Sequence, residues 1–216
     1  MTNICINSEI GPIRRVILHQ PGHEIERMTP SNAAEVLYDD ILHLPRALRE
    51  HNQLEFVLGQ VCETLTLVEL LRDILDNPEA RSSVLLQLCA AVGYPDFVEE
   101  LQGLPSLDLA YRLIGGTLKR NNTLEQYLSP GLYALPPLPN FFYMRDAAMC
   151  VNDKVITGSM ANRVRVAEAV IMEHIFRYHP LCTAGGFYFD GVMKHHPDLT
   201  VRSEEHTSEL QSPYVI

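Results

Sequence analysis

The sequence predicts an α/β fold that is interrupted by a run of helices. Near the start, the β-branched residues from Ile13 to His19 predict a buried strand that enters a turn at Pro21-Gly22. Apolar residues at helical spacing follow from Pro45 to Val61, and the segment from Thr64 to Val68 returns to strand character. A strand, a helix and a second strand in this order are typical of an α/β layer.

The pattern changes after this first α/β part, which we assign to residues 1–68. Leu71, Ile74 and Leu75 continue the apolar face of Val68 at helical spacing, as expected for a helix. Further short helical segments, separated by glycine and proline, span residues 81–92, 96–101 and 107–118. We therefore predict an all-α insert over residues 69–130.

The α/β pattern returns in residues 131–201. Asn152-Asp153 lies between two short apolar runs and tolerates positive φ, which favours a tight hairpin between two antiparallel strands. A helix is predicted from Arg163 to Tyr178, before Pro180, and Phe187 to Phe189 restore strand character. Residues 202–216 carry no apolar periodicity and look like a translated sequencing adapter, so we expect a non-native tail on a fragment.

Composition narrows the classes of partner. A chain of 216 residues with 46% hydrophobic content can bury a sizeable core, as one large domain or two small ones. The formal net charge of -10 argues against nucleic-acid binding and suits a small cationic substrate. No leader segment opens the chain and no apolar run approaches the roughly 18 to 20 residues of a membrane span, which predicts a cytoplasmic protein without a membrane partner.

The cysteines and histidines do not form ligand patterns. Five scattered cysteines, without a CxxC pair, indicate reduced and mostly buried thiols; they are Cys5, Cys62, Cys89, Cys150 and Cys182. No histidine has the neighbours expected of a metal site, so none is predicted. His174 and His179, near the end of the last predicted helix, are expected to be surface groups.

The segment from Leu138 to Asp146 combines an amide, a guanidinium and a carboxylate with apolar and aromatic residues. A carboxylate withdrawn from water must be paired, because an isolated buried charge costs many kcal/mol. Asp146 could be neutralised by Arg145 or another resident arginine. Alternatively, it could wait for a ligand whose planar guanidinium or amidine donates two parallel hydrogen bonds. Spacing alone leaves both interpretations open.

Arg165, near the start of the last predicted helix, also has two interpretations. It could reach an anionic group at the mouth of the site, or it could be an arginine exposed to solvent on the helix surface.

Motifs between Ile6 and about Tyr188 resemble the arginine deiminase family. The strongest match is Pro137 to Asn140 followed by Tyr143 to Asp146, which is similar to the family's proline-asparagine and aromatic-x-Arg-Asp substrate segment. Arg165-x-x-Glu168 falls at the family's distance beyond the aspartate. Weaker matches lie at Ser8 to Gly11, Pro21-Gly22, Arg27 to Asn32, Glu35 to Asp40, Tyr111 to Gly116 and Phe176 to Pro180.

The resemblance implies a five-module α/β propeller of ββαβ modules, incomplete here, with an all-α helical insert. It also implies the hydrolysis of L-arginine to citrulline and ammonia through a covalent cysteine intermediate, without a metal or an organic cofactor. By position, Asp146 would bind the guanidinium and Asn140 and Arg165 the amino-acid end. Tyr143 would form a wall of the pocket, and Leu37 would contact the substrate.

The resemblance also implies what this chain lacks. The family's nucleophilic cysteine, catalytic histidine and second guanidinium-binding aspartate would lie beyond the last residue, and none of the five cysteines is assigned as the nucleophile. We therefore expect this chain alone to be inactive. Two alternatives are an amidinotransferase and a non-catalytic arginine-binding protein of the same fold, and the sequence leaves open whether the intact protein is a homo-oligomer.

Overall fold

A computed structural model describes residues 3–28, 38, 40–94, 97–119, 133–160 and 162–192. Within these ranges the chain is a mixed α/β protein, which confirms the predicted class. The described strands form two sheets of two strands and one sheet of three strands, and none of these sheets closes on itself. Leu37 and residues 202–216, for which the sequence made predictions, lie outside the described ranges.

The first sheet follows the predicted strand, helix, strand order. Strand β1 (Arg15–Leu18) pairs in parallel with β2 (Glu63–Thr66), and helix α2 (Leu44–Gly59) makes the crossover between them. A short helix, α1 (His23–Glu26), lies in the connection. The prediction that β1 is buried is wrong, because three of its residues are half-buried and Arg15 is exposed. Its only described strand neighbour is β2, and α2, which follows, has no buried residue.

Four helices follow in succession, in the part of the chain where short helices were predicted. They are α3 (Leu67–Leu75), α4 (Pro78–Val92), α5 (Val98–Gln102) and α6 (Ser106–Gly115). The boundary between the first two has a clear local cause. The side chain of Asn77 accepts hydrogen bonds from the backbone N–H groups of Glu79 and Ala80, at 2.9 and 3.4 Å. Because Pro78 occupies the first turn and lacks an N–H, α4 begins there.

Two more sheets complete the described fold. Strands β3 (Thr117–Leu118) and β4 (Tyr133–Leu135) are antiparallel. A helical turn, α7 (Met144–Ala147), then precedes the sheet of β5 (Ala148–Val151), β6 (Lys154–Thr157) and β7 (Phe187–Asp190), whose order is β5-β6-β7. The β5–β6 hairpin was predicted from Asn152-Asp153, and Asn152 has a φ of 53° as expected for a tight turn.

Helix α8 (Val166–Tyr178) lies between the last sheet and the helical segment. It contacts β5 and β6 on one side and α3 and α4 on the other, and its residues from Ala167 to Phe176 are all buried. The expectation that His174 and His179 are surface groups is therefore wrong, since both are buried. No helix in the described ranges has the length and apolar character to cross a membrane.

Candidate functional site

The segment that carries the strongest sequence signal forms a series of tight turns. The backbone N–H of Tyr143 donates to the carbonyl oxygen of Asn140 at 2.9 Å, and the N–H of Asp146 donates to that of Tyr143 at 3.1 Å. These two turns bring Asn140, Tyr143 and Asp146 into one compact unit just before β5. Asn140 is buried, Asp146 is mostly buried and Tyr143 is half-exposed, so the unit runs from the interior to the surface.

A turn of 3₁₀-helix, residues Arg163–Arg165, places the second charged group. Asn162 begins this turn: its side-chain oxygen accepts from the N–H of Val164 at 3.1 Å, and its carbonyl oxygen accepts from the N–H of Arg165 at 3.1 Å. The side chain of Arg165 is only 7% exposed. The interpretation of Arg165 as a solvated surface arginine is therefore wrong.

Arg165 lies between two carboxylates. Its Nη1 donates to Oδ2 of Asp146 at 2.9 Å. Its Nε and Nη2 both donate to Oε2 of Glu168, at 3.1 and 2.9 Å, and Nε also lies 3.3 Å from Oε1. The guanidinium therefore gives two of its nitrogens to Glu168 and one to Asp146.

This arrangement bears on the two interpretations of Asp146. The resident cation that pairs with it is Arg165, whereas Arg145 pairs with Glu9 at the surface, with distances of 3.1 and 3.2 Å. Among the described side chains, Arg165 donates a hydrogen bond to Asp146, and the acceptor is Oδ2. Whether Asp146 also binds a guanidinium ligand stays a prediction.

Electrostatics keep Arg165 charged. Burial acts to lower the pKa of Arg165, but Glu168 and Asp146 outweigh it and raise that pKa. One guanidinium shared by two carboxylates leaves these three side chains with a formal charge of about one negative unit.

Aromatic side chains border the charged group. The hydroxyl of Tyr38 donates to the carbonyl oxygen of Pro139 at 3.1 Å. The pKa of Tyr38 is raised, mainly by burial and further by the charges of Tyr143 and Glu168. The rings of Phe142 and Tyr143 lie 4.3 Å apart between centroids. These contacts place Tyr38 and the aromatic turn beside the Arg165 group.

A second buried polar pair lies in the connection after β1. Nε2 of His19 lies 3.0 Å from Oε1 of Glu24, and the same oxygen accepts from the N–H of Gly22 at 2.6 Å. The His19 ring is 5.6 Å from that of Phe141, between centroids, so this pair adjoins the aromatic turn. The sequence did not predict the contacts of Glu24.

Sequence reasoning also assigned no role to Glu168, although its position offered a signal. Residues three apart on a helix face the same side, so Arg165 and Glu168 are spaced for an ion pair. Tyr38 carried no comparable signal, because its contact with Pro139 joins residues far apart in the sequence.

Burial disfavours the thiolate in three of the five cysteines. All five are described and all are free. Burial raises the pKa of Cys89, Cys150 and Cys182 to about 11, which disfavours the reactive thiolate. Cys5 is exposed, contrary to the expectation of mostly buried thiols. The described residues also contain no cluster of three or more potential metal ligands.

Comparison with known proteins agrees with the motifs. Residues 111–203 match the family model described as arginine deiminase. Two proteins described as arginine deiminase, from Mycobacterium bovis and Mycobacterium tuberculosis, are 31% identical to 97% of this chain. The chain belongs to the arginine deiminase family. A third arginine deiminase, from Mycobacterium marinum, is 29% identical over the same share of the chain.

The family match can be compared with the position of the candidate site in this chain and with the length of the relatives. Residues 111–203 include Asn140, Tyr143, Asp146 and Arg165, so these four predicted site residues lie within the matched range, whereas Leu37 lies outside it. The chain spans about half the length of the curated relatives that it matches, at 54% of each. The resemblance drawn from the motifs is confirmed, while the roles of the individual residues stay predictions.

Proposed function

We propose that this chain is the N-terminal part of an arginine deiminase, an enzyme that hydrolyses L-arginine to citrulline and ammonia. The observation that carries the proposal is the buried group in which Asp146 and Glu168 share Arg165. Its carboxylates lie beside an aromatic wall, and a planar guanidinium is the cation that best matches a carboxylate. The relatives described as arginine deiminase support the same conclusion.

In this proposal each residue has one task in binding. Asp146 holds the guanidinium of the substrate and orients its carbon for attack. Asn140 and Arg165 bind the amino-acid end, Tyr143 forms a wall along the aliphatic chain, and Leu37 contributes a contact from its own segment. Fixing the substrate in one orientation lowers the entropic part of the barrier to reaction.

The chemical step would be carried out by groups outside this chain. A cysteine thiolate attacks the guanidinium carbon and forms a sulfur–carbon bond, and the carbon–nitrogen bond to the leaving group breaks as ammonia departs with a proton from a histidine. Water then adds to the same carbon, the sulfur–carbon bond breaks, and citrulline leaves. One water is consumed and one ammonia is released for each arginine. No metal or organic cofactor has a part in this scheme.

For the whole protein, we propose a cytoplasmic enzyme with a five-module α/β propeller of ββαβ modules. Residues 1–68 and 131–201 would be its first parts, and residues 69–130 would be a helical insert between them. The chain's share of about half of its relatives' length supports this division, because half of a propeller would then be outside it. This chain alone would bind poorly and would not turn over arginine.

The test is the substitution Asp146→Asn in the intact protein, followed by measuring ammonia and citrulline release. We expect kcat/KM to fall by at least about a hundredfold, since the guanidinium loses its charged acceptor. Asp108→Asn is a matched control, because Asp108 is exposed on α6, away from the site. An undiminished rate in Asp146→Asn would overturn the proposal.

The same assay separates the alternatives. Arginine binding by calorimetry without ammonia release would favour a non-catalytic arginine-binding protein. A reaction that requires an amine acceptor, and yields an amidino-amine in place of citrulline, would favour an amidinotransferase.

A further inference from the structure

The end of helix α6 supports the turn segment of the candidate site. The backbone N–H of Leu138 donates to the carbonyl oxygen of Ile114 at 2.9 Å. Gly116 lies directly against the same segment, since a Cβ added to it would be 2.6 Å from the backbone nitrogen of Pro137. Asn140 lies two residues beyond Leu138 and is buried. The position of Asn140 therefore depends on how the end of α6 is held.

Arg27, the residue directly after α1, binds the end of α6. Gly115 and Gly116 are both buried, so their carbonyl oxygens need donors from the protein. Nη1 of Arg27 donates to both of these oxygens. A cation at the C-terminal end of a helix also interacts favourably with the helix dipole. Arg27 thereby joins the connection after β1 to the end of the helical segment.

The neighbours of Arg27 support the other side of the same turn. Two buried residues beside Arg27 pack with four half-buried apolar residues, and the six are Ile25, Met28, Tyr38, Leu42, Phe142 and Val164. Phe142 belongs to the aromatic turn, and Val164 belongs to the 3₁₀ turn that places Arg165. The segment around Arg27 therefore contacts both turns of the candidate site and the helix end behind them.

We propose that Arg27 is a positioning residue of the candidate site, which holds Asn140 in place through the end of α6. This inference rests on the proposed function, in which Asn140 binds the amino-acid end of the substrate. Arg27 acts on the substrate only through Asn140 and its turn. The helical segment thereby contributes to the geometry of the site.

The effect follows from the need of buried carbonyl groups for a donor. Without Arg27, the carbonyl oxygens of Gly115 and Gly116 lose a charged donor, and buried oxygens without a partner cost free energy. The end of α6 then moves toward other donors or water, and the hydrogen bond from Leu138 to Ile114 moves with it. A displacement of about 1 Å in a group that orients a substrate can lower the rate by about a hundredfold.

The test is Arg27→Met in the intact protein, with citrulline release from L-arginine measured at a temperature where thermal melting shows the variant to be folded. We expect KM to rise and kcat/KM to fall by about thirtyfold, because Asn140 is displaced. A purely structural role would reduce only the fraction of folded enzyme, which lowers the apparent kcat and leaves KM unchanged.

Arg81→Met is the matched control. Arg81 also donates to carbonyl oxygens at helix ends, but it lies at the start of α6, where it contacts Ser106. Its replacement should cost stability while kcat/KM changes by less than about twofold.

A double-mutant cycle tests whether Arg27 acts through Asn140. Asn140→Ala alone should lower kcat/KM by about a hundredfold, since a substrate contact is lost. In that background Arg27→Met should lower it by less than about threefold further, because the group that Arg27 positions has been removed. Arg81→Met should leave kcat/KM nearly unchanged in both backgrounds. If Arg27→Met costs the same factor with and without Asn140, the inference is wrong.

Arg27→Lys decides if Arg27→Met does not fold. Lysine keeps a cation with several N–H donors on a shorter side chain, so it should satisfy the two carbonyl groups less well and lower kcat/KM by about tenfold. A wild-type kcat/KM in Arg27→Lys, or an equal loss in the Asn140→Ala background, would then reject the inference while the proposed function stands. If the intact wild type releases no citrulline from arginine, the proposed function fails and this inference fails with it.

Discussion

Oγ of Ser83 lies 2.9 Å from Nε2 of His174, and this hydrogen bond joins helix α4 to helix α8. Nδ1 of His174 lies 2.8 Å from the carbonyl oxygen of Val170. A carbonyl can only accept, so Nδ1 carries a proton. In the neutral imidazole Nε2 then accepts from the serine hydroxyl, whereas in the charged imidazole Nε2–H donates to the same oxygen. Burial at the junction of the two helices lowers the pKa of His174 and so favours the neutral imidazole.

We expect this junction to weaken the fold in acid. Burial lowers the pKa of His174, the Val170 carbonyl opposes this, Arg177 lowers the pKa further, and Asp190 raises it. The unfolded chain then binds a proton at higher pH than the folded chain, so the stabilisation is complete above the ordinary histidine pKa of about 6.5 and is lost as pH falls below it. Urea unfolding at about pH 7.5 and about pH 5.5 should show the difference.

The variant His174→Gln isolates this effect. Glutamine cannot gain a proton in this range, so the variant should lose less stability than the wild type between the two pH values, even if it starts lower. The pKa of His51 is also lowered by burial, but His51 is present in both proteins and its contribution cancels. Identical losses in the two proteins would contradict the assignment.

Arg81 should be the most costly surface-accessible arginine to replace in the helical segment. Its guanidinium donates to the carbonyl oxygens of Leu75, Gln102 and Leu104 and to the hydroxyl of Ser106, at 2.8 to 2.9 Å. It thereby binds the ends of α3 and α5 to the start of α6. We expect Arg81→Met to lower the free energy of unfolding by roughly 2 to 4 kcal/mol, because several carbonyl groups lose a charged donor.

The matched control for this measurement is Arg46→Met. Arg46 forms an ion pair with Glu50 on the exposed side of α2, where both side chains are more than half exposed. Pairs of this kind contribute little, so its unfolding free energy should change by less than about 0.5 kcal/mol. Equal decreases in the free energy of unfolding of the two variants would show that the hydrogen bonds of Arg81 do not stabilise the packing of the helices.

Gly116 is expected to tolerate no side chain. Its φ is +77°, and a Cβ added there would lie 2.6 Å from the backbone nitrogen of Pro137. Backbone cannot move aside as a flexible side chain can, so Gly116→Ala should cost at least about 2 kcal/mol in denaturant unfolding. Gly59→Ala is the control, since nothing lies within 4 Å of its added Cβ and its change in helix α2 should be neutral or stabilising. A neutral Gly116→Ala would contradict this account.

Local patterns predicted the elements, whereas contacts between distant residues decided the site. The positive φ of Asn152 followed from an Asn-Asp pair between two apolar runs, and the β1, α2, β2 order followed from periodicity. Sequence patterns did not predict which cation pairs with Asp146. That pair joins two residues 19 positions apart in the sequence, and it depends on the turn at Asn162 that orients Arg165. His174 was placed wrongly because helical periodicity does not reveal that a second helix covers the polar face.

The exposed face of α2 gives the last prediction, which concerns residues 1–201 expressed alone. Phe56 and Val57 of α2, and Val61 just beyond its end, are 69%, 61% and 70% exposed, and α2 has no buried residue. Contiguous exposed apolar side chains promote association, as do strand edges without a partner. We therefore expect this fragment to form aggregates, detectable as mass above the monomer in size-exclusion chromatography with light scattering.

Lysine substitutions identify the cause of that aggregation. Val57→Lys with Val61→Lys should raise the monomer fraction at least about twofold, because the apolar surface is removed. The control, Gln53→Lys with Gln60→Lys, adds the same charge at exposed polar positions around the same helix. Because the net charge of the chain is -10, two added lysines reduce its magnitude, which by itself works against solubility. Only loss of the apolar surface would therefore explain a gain in the first variant. A monodisperse and cooperatively melting wild-type fragment would instead mean that α2 needs no further cover.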